Sequence, residues 1–225
     1  MPGLLLGLHF ASWNVGARLT PAANASLIVN LTPEIMPLVV YGMLRETLTR
    51  REGWATALAM TGMVLLGAGD FHFEPDWFLG DLVCFGSMIF FTFYLVFGRR
   101  HQAPTPWLYL VPLYAFGGLF TLLLGAAIDG SWGLFTWRES AFVLGLALIP
   151  TIVGHSILNR SMKVLRPQVV ALFNLNQFIF AGVMAYLFFH ELPGPALYVA
   201  AILLISAVWL AVMPARRQTL SALVE

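Results

Sequence analysis

Polar residues are sparse in this chain and gather in short clusters, with long apolar blocks between them. Eight blocks of roughly 17 to 23 residues run from Met1 to Ala17, Ala22 to Leu44, Gly53 to Gly69, Phe78 to Gly98, Trp107 to Ala127, Ser140 to Leu158, Gln168 to Phe189 and Pro195 to Met213. About 20 residues of α-helix cross a hydrocarbon core, so each block matches one crossing. The blocks are continuous, whereas a barrel strand shows about ten residues of alternating polarity. In lipid, backbone polar groups need internal partners, and a helix supplies them within one segment. The pattern predicts an all-α integral membrane protein.

Composition sharpens this picture. Of 225 residues, 59% are apolar and 10% are charged, against about 25% charged in soluble domains. A net charge of +1 gives no reason to expect a nucleic-acid partner. The single cysteine, Cys84, lies inside a block, which rules out a disulfide framework. The N-terminus has neither a basic n-region nor an A-x-A-like cleavage site, so it does not read as a signal peptide.

The basic residues give an orientation. Arg45, Arg50, Arg51, Arg99, Arg100, Arg160, Lys163, Arg166, Arg216 and Arg217 follow even-numbered blocks and share one side of the membrane. Only Arg18 and Arg138 fall on the other side, with Asp70, Glu74, Asp76, Asp81, Asp129, Glu139 and Glu191. Positive residues collect in the cytoplasm, which places the C-terminus there, in a cell inner or plasma membrane. Trp77, Trp107, Trp132 and Trp137 stand at block ends, as interfacial anchors do.

The chain also matches itself at an offset of 145 residues. Asn14 falls on Asn159, Tyr41 on Tyr186, Glu46 on Glu191, Arg18 on Lys163 and Thr61 on Ser206, with several Leu and Ala pairs in the same register. The shift crosses five blocks, an odd number, so equivalent segments are expected to run in opposite directions. The loop around Glu46 holds three arginines and its equivalent around Glu191 holds none. Inverted repeats are a mark of secondary transporters. By this register the first unit would begin about 68 residues before Met1, so two spans of an expected ten are taken as missing.

The stretch Pro21-Ala-Ala-Asn-Ala-Ser-Leu-Ile-Val-Asn-Leu-Thr-Pro33, then Arg45-Glu46-Thr-Leu-Thr49 and Trp54 to Leu66, resembles the EamA family of the drug/metabolite transporter superfamily. A second copy runs through Gly154-His-Ser-Ile-Leu-Asn159, Val169-Val-Ala-Leu172 and His190-Glu191-Leu-Pro193. The resemblance implies two inverted five-helix units. Residues 1–69 would hold family helices 3–5, residues 77–213 helices 6–10, and residues 214–225 a cytoplasmic tail. It also implies a central cavity lined by family helices 3, 4, 6, 8 and 9, and transport of small metabolites. One departure is Asn176-Gln177-Phe178, where the family often carries Glu-Pro; here the acid follows a proline earlier, at Pro33-Glu34.

Polar groups deep in lipid cost several kcal/mol unless paired or hydrated, which makes them the candidates for a substrate or ion pathway. Glu34 lies midway along its block, flanked by Pro33 and Pro37, with Asn30 one turn earlier. A carboxyl there suits a substrate amine or a coupling proton, and equally a neutral packing role. His155 and Asn159 share a helix face, as do Asn174 and Gln177, and Ser87 and Tyr94 lie two turns apart. Trp13 and Asn14 complete the set, with His9 one turn before Trp13. Interhelical hydrogen bonding is the competing role for these amides, hydroxyls and imidazoles. Glu46 and Glu191 fit capping or loop pairing. Ala55/Ala59, Ala196/Ala200 and Ala207/Ala211 are small-xxx-small pairs suited to close helix packing, within the chain or in a homodimer.

These features favour a secondary transporter of amino-acid-like or drug-like solutes, with a coupling proton as one option. The chain has no G-x-x-x-x-G-K-[ST], H-E-x-x-H or G-x-S-x-G motif. An ATP engine, an intramembrane enzyme and a bound cofactor or metal are therefore not expected. A truncated, non-transporting membrane scaffold is the alternative.

Single cysteines placed beside Glu46 and Glu191 should react with an impermeant thiol reagent from opposite faces of sealed vesicles. Labelling of both from one face would remove the inverted repeat.

Overall fold

The computed structural model describes residues 1–68, 74–100, 105–129, 136–190 and 192–213. Asp70, Trp132, Glu191, Arg216 and Arg217 lie outside the described residues. All regular structure among the described residues is helical. Helix α1 is Pro2–Leu19, α2 Ala22–Val29, α3 Thr32–Leu44, α4 Arg50–Gly67, α5 Phe78–Arg100 and α6 Pro106–Asp129. Helix α7 is Trp137–Leu146, followed without a break by a π-helical segment, Ala147–Gly154, and by α8, His155–Val164. Helices α9, Pro167–Asn174, α10, Gln177–Phe189, and α11, Pro195–Val212, complete the order.

Among the described residues six helical stretches are long and apolar enough to cross a membrane: Ala22–Leu44, Pro75–Arg100, Trp107–Ala127, Trp137–Val164, Pro167–Phe188 and Pro195–Val212. The protein is an integral membrane protein. Helices α1 and α4 match the remaining two apolar blocks but fall short of that standard. His9, Asn14 and Arg18 lower the hydropathy of α1, and Arg50, Arg51 and Glu52 open α4.

Three observed spans depart from the sequence expectation. The block predicted as Ser140 to Leu158 is part of a 28-residue helical run, Trp137–Val164. Thr136 starts it early through a capping box, its hydroxyl accepting from the Glu139 backbone N–H while the Glu139 carboxylate accepts from the Thr136 N–H at 2.8 Å. Asn159, expected near a block end, consequently sits well inside the helix. The second and seventh blocks are each split in mid-span, at residues 30–31 and 175–176.

Prolines explain the first split and the π segment. Pro33 has no N–H for the Val29 carbonyl, and the Thr32 hydroxyl donates to that oxygen at 3.1 Å. Pro37 likewise frees the Pro33 carbonyl, which accepts from Gln168 Nε2 at 2.9 Å. Pro150 interrupts the π segment, where the Thr151 hydroxyl donates to the Leu146 carbonyl at 3.0 Å.

Helix ends recur at one interval. Shifting α2, α3 and α4 by 145 residues gives the bounds of α9, α10 and α11, and shifting α1 gives Ala147–Val164. The two mid-span splits keep the same interval. So do the two non-glycine residues with positive φ among the described residues, Arg45 at 59° and His190 at 58°, which end α3 and α10 in the left-handed region.

The chain forms two compact units, Met1–Thr47 with Gly67–Ala171, and Leu48–Leu66 with Leu172–Glu225. Helix α5 is the axis of the first unit, with eleven buried residues among its 23, whereas α7 and the π segment after it have none. Its buried residues Asp81, Cys84, Ser87, Met88, Phe91, Tyr94, Leu95 and Gly98 form one stripe at helical spacing. Leu19, at the end of α1, lies on Gly80 at the start of α5, while Leu165, just beyond α8, is held by Arg99 at the end of α5. Helices α1 and α8 therefore reach opposite ends of α5. Glycines allow the close approach: a Cβ on Gly16 would stand 2.5 Å from Cys84 Sγ, and one on Gly3 2.8 Å from the Leu113 carbonyl on α6.

In the second unit α4 and α11 lie antiparallel. Arg51 donates to the Met213 carbonyl at 2.7 Å, and Gly62 faces Ala200 and Leu203. Ala55, Ala59, Ala200 and Ala207 are all buried within the single chain.

Gly16→Val should overpack the α1–α5 contact and cost about 1–3 kcal/mol. Gly42, whose added Cβ would meet nothing within 4 Å, is the control. Gly42→Ala should be neutral or stabilising by up to about 1 kcal/mol. Thermal unfolding in detergent compares the two, and equal melting temperatures would refute the tight contact.

Candidate functional site

Inside the first unit, α1, α5 and α8 bring together two imidazoles, a phenol, a hydroxyl and an amide. Ser87 on α5 is fully buried, and its hydroxyl donates to the His9 backbone carbonyl at 2.9 Å. With its proton used there, Ser87 Oγ accepts from His9 Nδ1 at 2.8 Å, and the Ser87 carbonyl lies 3.1 Å from the same nitrogen. These partners select the His9 tautomer with the proton on Nδ1, leaving Nε2 as an acceptor.

Two turns along α5, the buried Tyr94 hydroxyl accepts from Asn159 Nδ2 and shares a hydrogen bond with His155 Nδ1 at 3.2 Å. Asn159 Nδ2 also donates to the His155 carbonyl one turn back, at 2.7 Å. Phe91 lies between the two imidazoles, 4.8 Å from the His9 ring and 6.0 Å from the His155 ring. Phe10 closes the group, 5.3 Å from His9 and 5.4 Å from His155. Phe10 and His155 are equivalent positions at the 145-residue interval, and they touch. Such a cluster offers two imidazole rings and several aromatic faces, and it contains no carboxylate.

Two buried polar atoms beside this group have no hydrogen-bond partner, Asn159 Oδ1 and Tyr109 Oη. Both lie near Gly98, at 2.6 and 3.5 Å from where its Cβ would stand. Any larger residue at position 98 would collide with the Asn159 amide. Beyond the cluster, the Tyr114 and Ser156 hydroxyls join α6 to α8 at 3.1 Å.

The other sequence candidates lie elsewhere. Asn30 is buried at the split between α2 and α3, and its Nδ2 donates to the Ser26 carbonyl at 2.8 Å. Glu34 is exposed in the first turn of α3. Trp13 is exposed, as is Asn14, whose Nδ2 donates to the Phe10 carbonyl at 2.8 Å. Asn174 ends α9 half-buried and Gln177 begins α10 exposed; both belong to the second compact unit. Of the ten candidates, Tyr94, His155 and Asn159 thus join one bonded group, Ser87 bonds His9 across the Phe91 and Phe10 rings from it, and Asn14 leans on its edge.

Sequence reasoning left His9, Phe10 and Phe91 out of this group. A 78-residue separation between His9 and Ser87 leaves no local pattern, although the repeat pairing of Phe10 with His155 was available. Asp81, one of the acids on the side opposite the basic residues, is nine-tenths buried in the first turn of α5, with Oδ1 accepting from the Thr20 hydroxyl at 2.6 Å and Asn24 Nδ2 at 3.4 Å. Glu46 forms an ion pair with Arg99 at 3.2 Å, the loop pairing expected of it.

Tyr94→Phe removes the oxygen that links Asn159 to His155 and strands a buried amide donor. It should lower stability by about 1–3 kcal/mol, read as an earlier unfolding transition in detergent. A transition at the wild-type position would show that the hydroxyl carries no net load.

Residues 78–213 match the family model described as the EamA-like transporter family. A solved crystal structure has the same fold, with a TM-score of 0.81 at 20% identity, over 96% of this chain and 76% of that one. No curated protein matches the chain. With more than half of its length matched by that family, the chain belongs to the EamA-like transporter family.

Proposed function

We propose that this membrane protein is a secondary transporter moving small amino-acid-like or drug-like solutes across the inner or plasma membrane by alternating access. The observation that carries this reading is the recurrence of helix ends at 145 residues, together with equivalent helices that reach opposite ends of α5. Two similar units inserted upside down relative to each other can exchange conformations, and the exchange turns an inward-facing pathway into an outward-facing one. On this reading residues 1–69 hold helices 3–5 of the first unit and residues 77–213 the whole second unit. The ten-to-two split of basic residues supports a cytoplasmic C-terminus. A solute gradient or coupled ion, not ATP, supplies the drive, since the chain has no phosphate-binding loop.

Glu34 is the residue we assign to the solute or proton. It is an exposed carboxylate midway along an apolar span, at the first turn of a helix that restarts after a break. A charge at that depth is costly unless it faces water or a partner, so such positions are used by pathways. Asn30, beside the same break, and the His155–Tyr94–Asn159 group are the uncharged polar groups assigned to the pathway.

Glu34→Gln should lower uptake into vesicles by about tenfold or more, equivalent to about 1.4 kcal/mol of barrier, with expression unchanged. Substrates come from a panel screened for resistance or growth in a sensitive host. Uptake with the wild-type rate and pH profile would eliminate Glu34 as the coupling group.

A further inference from the structure

Asp81 and Arg99 stand at opposite ends of α5, one in its first turn and one in its last, the arrangement its helix dipole favours. Each ties α5 to a corner between two other helices. At the start of α5, Asp81 Oδ1 accepts from Thr20, in the corner between α1 and α2, and from Asn24, in the first turn of α2. At the far end, Arg99 donates to the carbonyls of Met162 and Leu165, both at 3.0 Å, where α8 turns into α9, and it pairs with Glu46. Arg166, in the same corner, donates to the Thr47 carbonyl at 2.7 Å.

These two corners are equivalent. The α1–α2 corner at residues 20–21 and the α8–α9 corner at residues 165–166 lie 145 residues apart. One helix is thus fastened at its two ends by the same element of each repeat, through side chains of opposite charge. The Asp81 fastening is incomplete, because the buried Oδ2 has no hydrogen-bond partner. A buried carboxylate satisfied on one oxygen alone keeps part of its desolvation cost.

We propose that Asp81 with Thr20 and Asn24, and Arg99 with Glu46 and the Leu165 corner, are two latches that open alternately, one at each end of α5. They are positioning residues: they touch no solute and act by holding the α1 and α8 corners against α5. The proposal rests on the transporter reading above. It identifies which contacts break when the pathway opens toward each face.

Thiol labelling tests this without needing a substrate. Cys84 is fully buried one turn from Asp81, packed against Gly16, and reports on that end. Met162, also fully buried, lies beneath Arg99, so Met162→Cys in a Cys84→Ser background reports on the other end. Asp81→Asn and the near-isosteric Thr20→Val should each raise labelling of Cys84 by an impermeant maleimide at least fivefold. Neither should raise labelling of the thiol introduced by Met162→Cys. Arg99→Gln should give the reverse pattern, and Arg99→Lys should restore part of the wild-type protection.

Equal increases at both thiols in every variant would mean general loosening and would overturn the latches, as would no change at either. If reciprocal labelling is found but no solute moves, the latches stand and the transporter reading falls. If uptake is lost with wild-type labelling, transport stands and the latches fall.

Discussion

The dominant constraint on this protein is that a backbone carbonyl or N–H inside hydrocarbon has no water to bond. Unbroken helices satisfy it automatically, yet the spans carry prolines that each remove a donor. The freed carbonyls of Val29, Pro33 and Leu146 accept instead from Thr32, Gln168 and Thr151. Two of these donors are within a few residues of the carbonyl they serve. Gln168 comes from 135 residues away, so the break at the start of α3 is sustained by tertiary structure. Orphaned in lipid, each group would cost several kcal/mol. With a side-chain donor supplied, a helix can stop and restart in mid-membrane, and that is what places Asn30 and Glu34 at an interruption.

The same economy of polar groups shapes the centre of the first unit. Helix α5 carries Asp81, Ser87, Tyr94 and Arg99 along one buried side, and nearly all described polar contacts of α1 and α8 with it end on these four. Between them the stripe is filled by Cys84, Met88, Phe91 and Leu95, and α1 approaches closely because Gly16 and Gly80 have no side chain to keep it away. Apolar packing gives no preference between lipid and protein in this setting. Small residues and hydrogen bonds therefore decide which faces meet.

Family membership fits this architecture in particular ways. The matched segment, residues 78–213, begins at α5 and ends at α11. The solved structure shares the fold at 20% identity, a level at which the helix arrangement persists while side chains differ. The acid at Glu34 and the amides at Asn174 and Gln177 are therefore features to be weighed in this chain on their own chemistry.

The sequence by itself determined the class of structure, because membrane thickness converts directly into the length of an apolar block. It also offered an interval of 145 residues, in Asn14 with Asn159 and Tyr41 with Tyr186, that the helix ends keep to the residue. Local chemistry hid the early start of α7, because the Thr136-Glu139 box lies among residues that read as loop. Which polar groups meet was decided only by tertiary structure. His9 finds Ser87 and Thr20 finds Asp81 across 78 and 61 residues. No periodicity records such a pairing: hydropathy assigns a residue to lipid or water, whereas a hydrogen bond depends on which helix stands opposite.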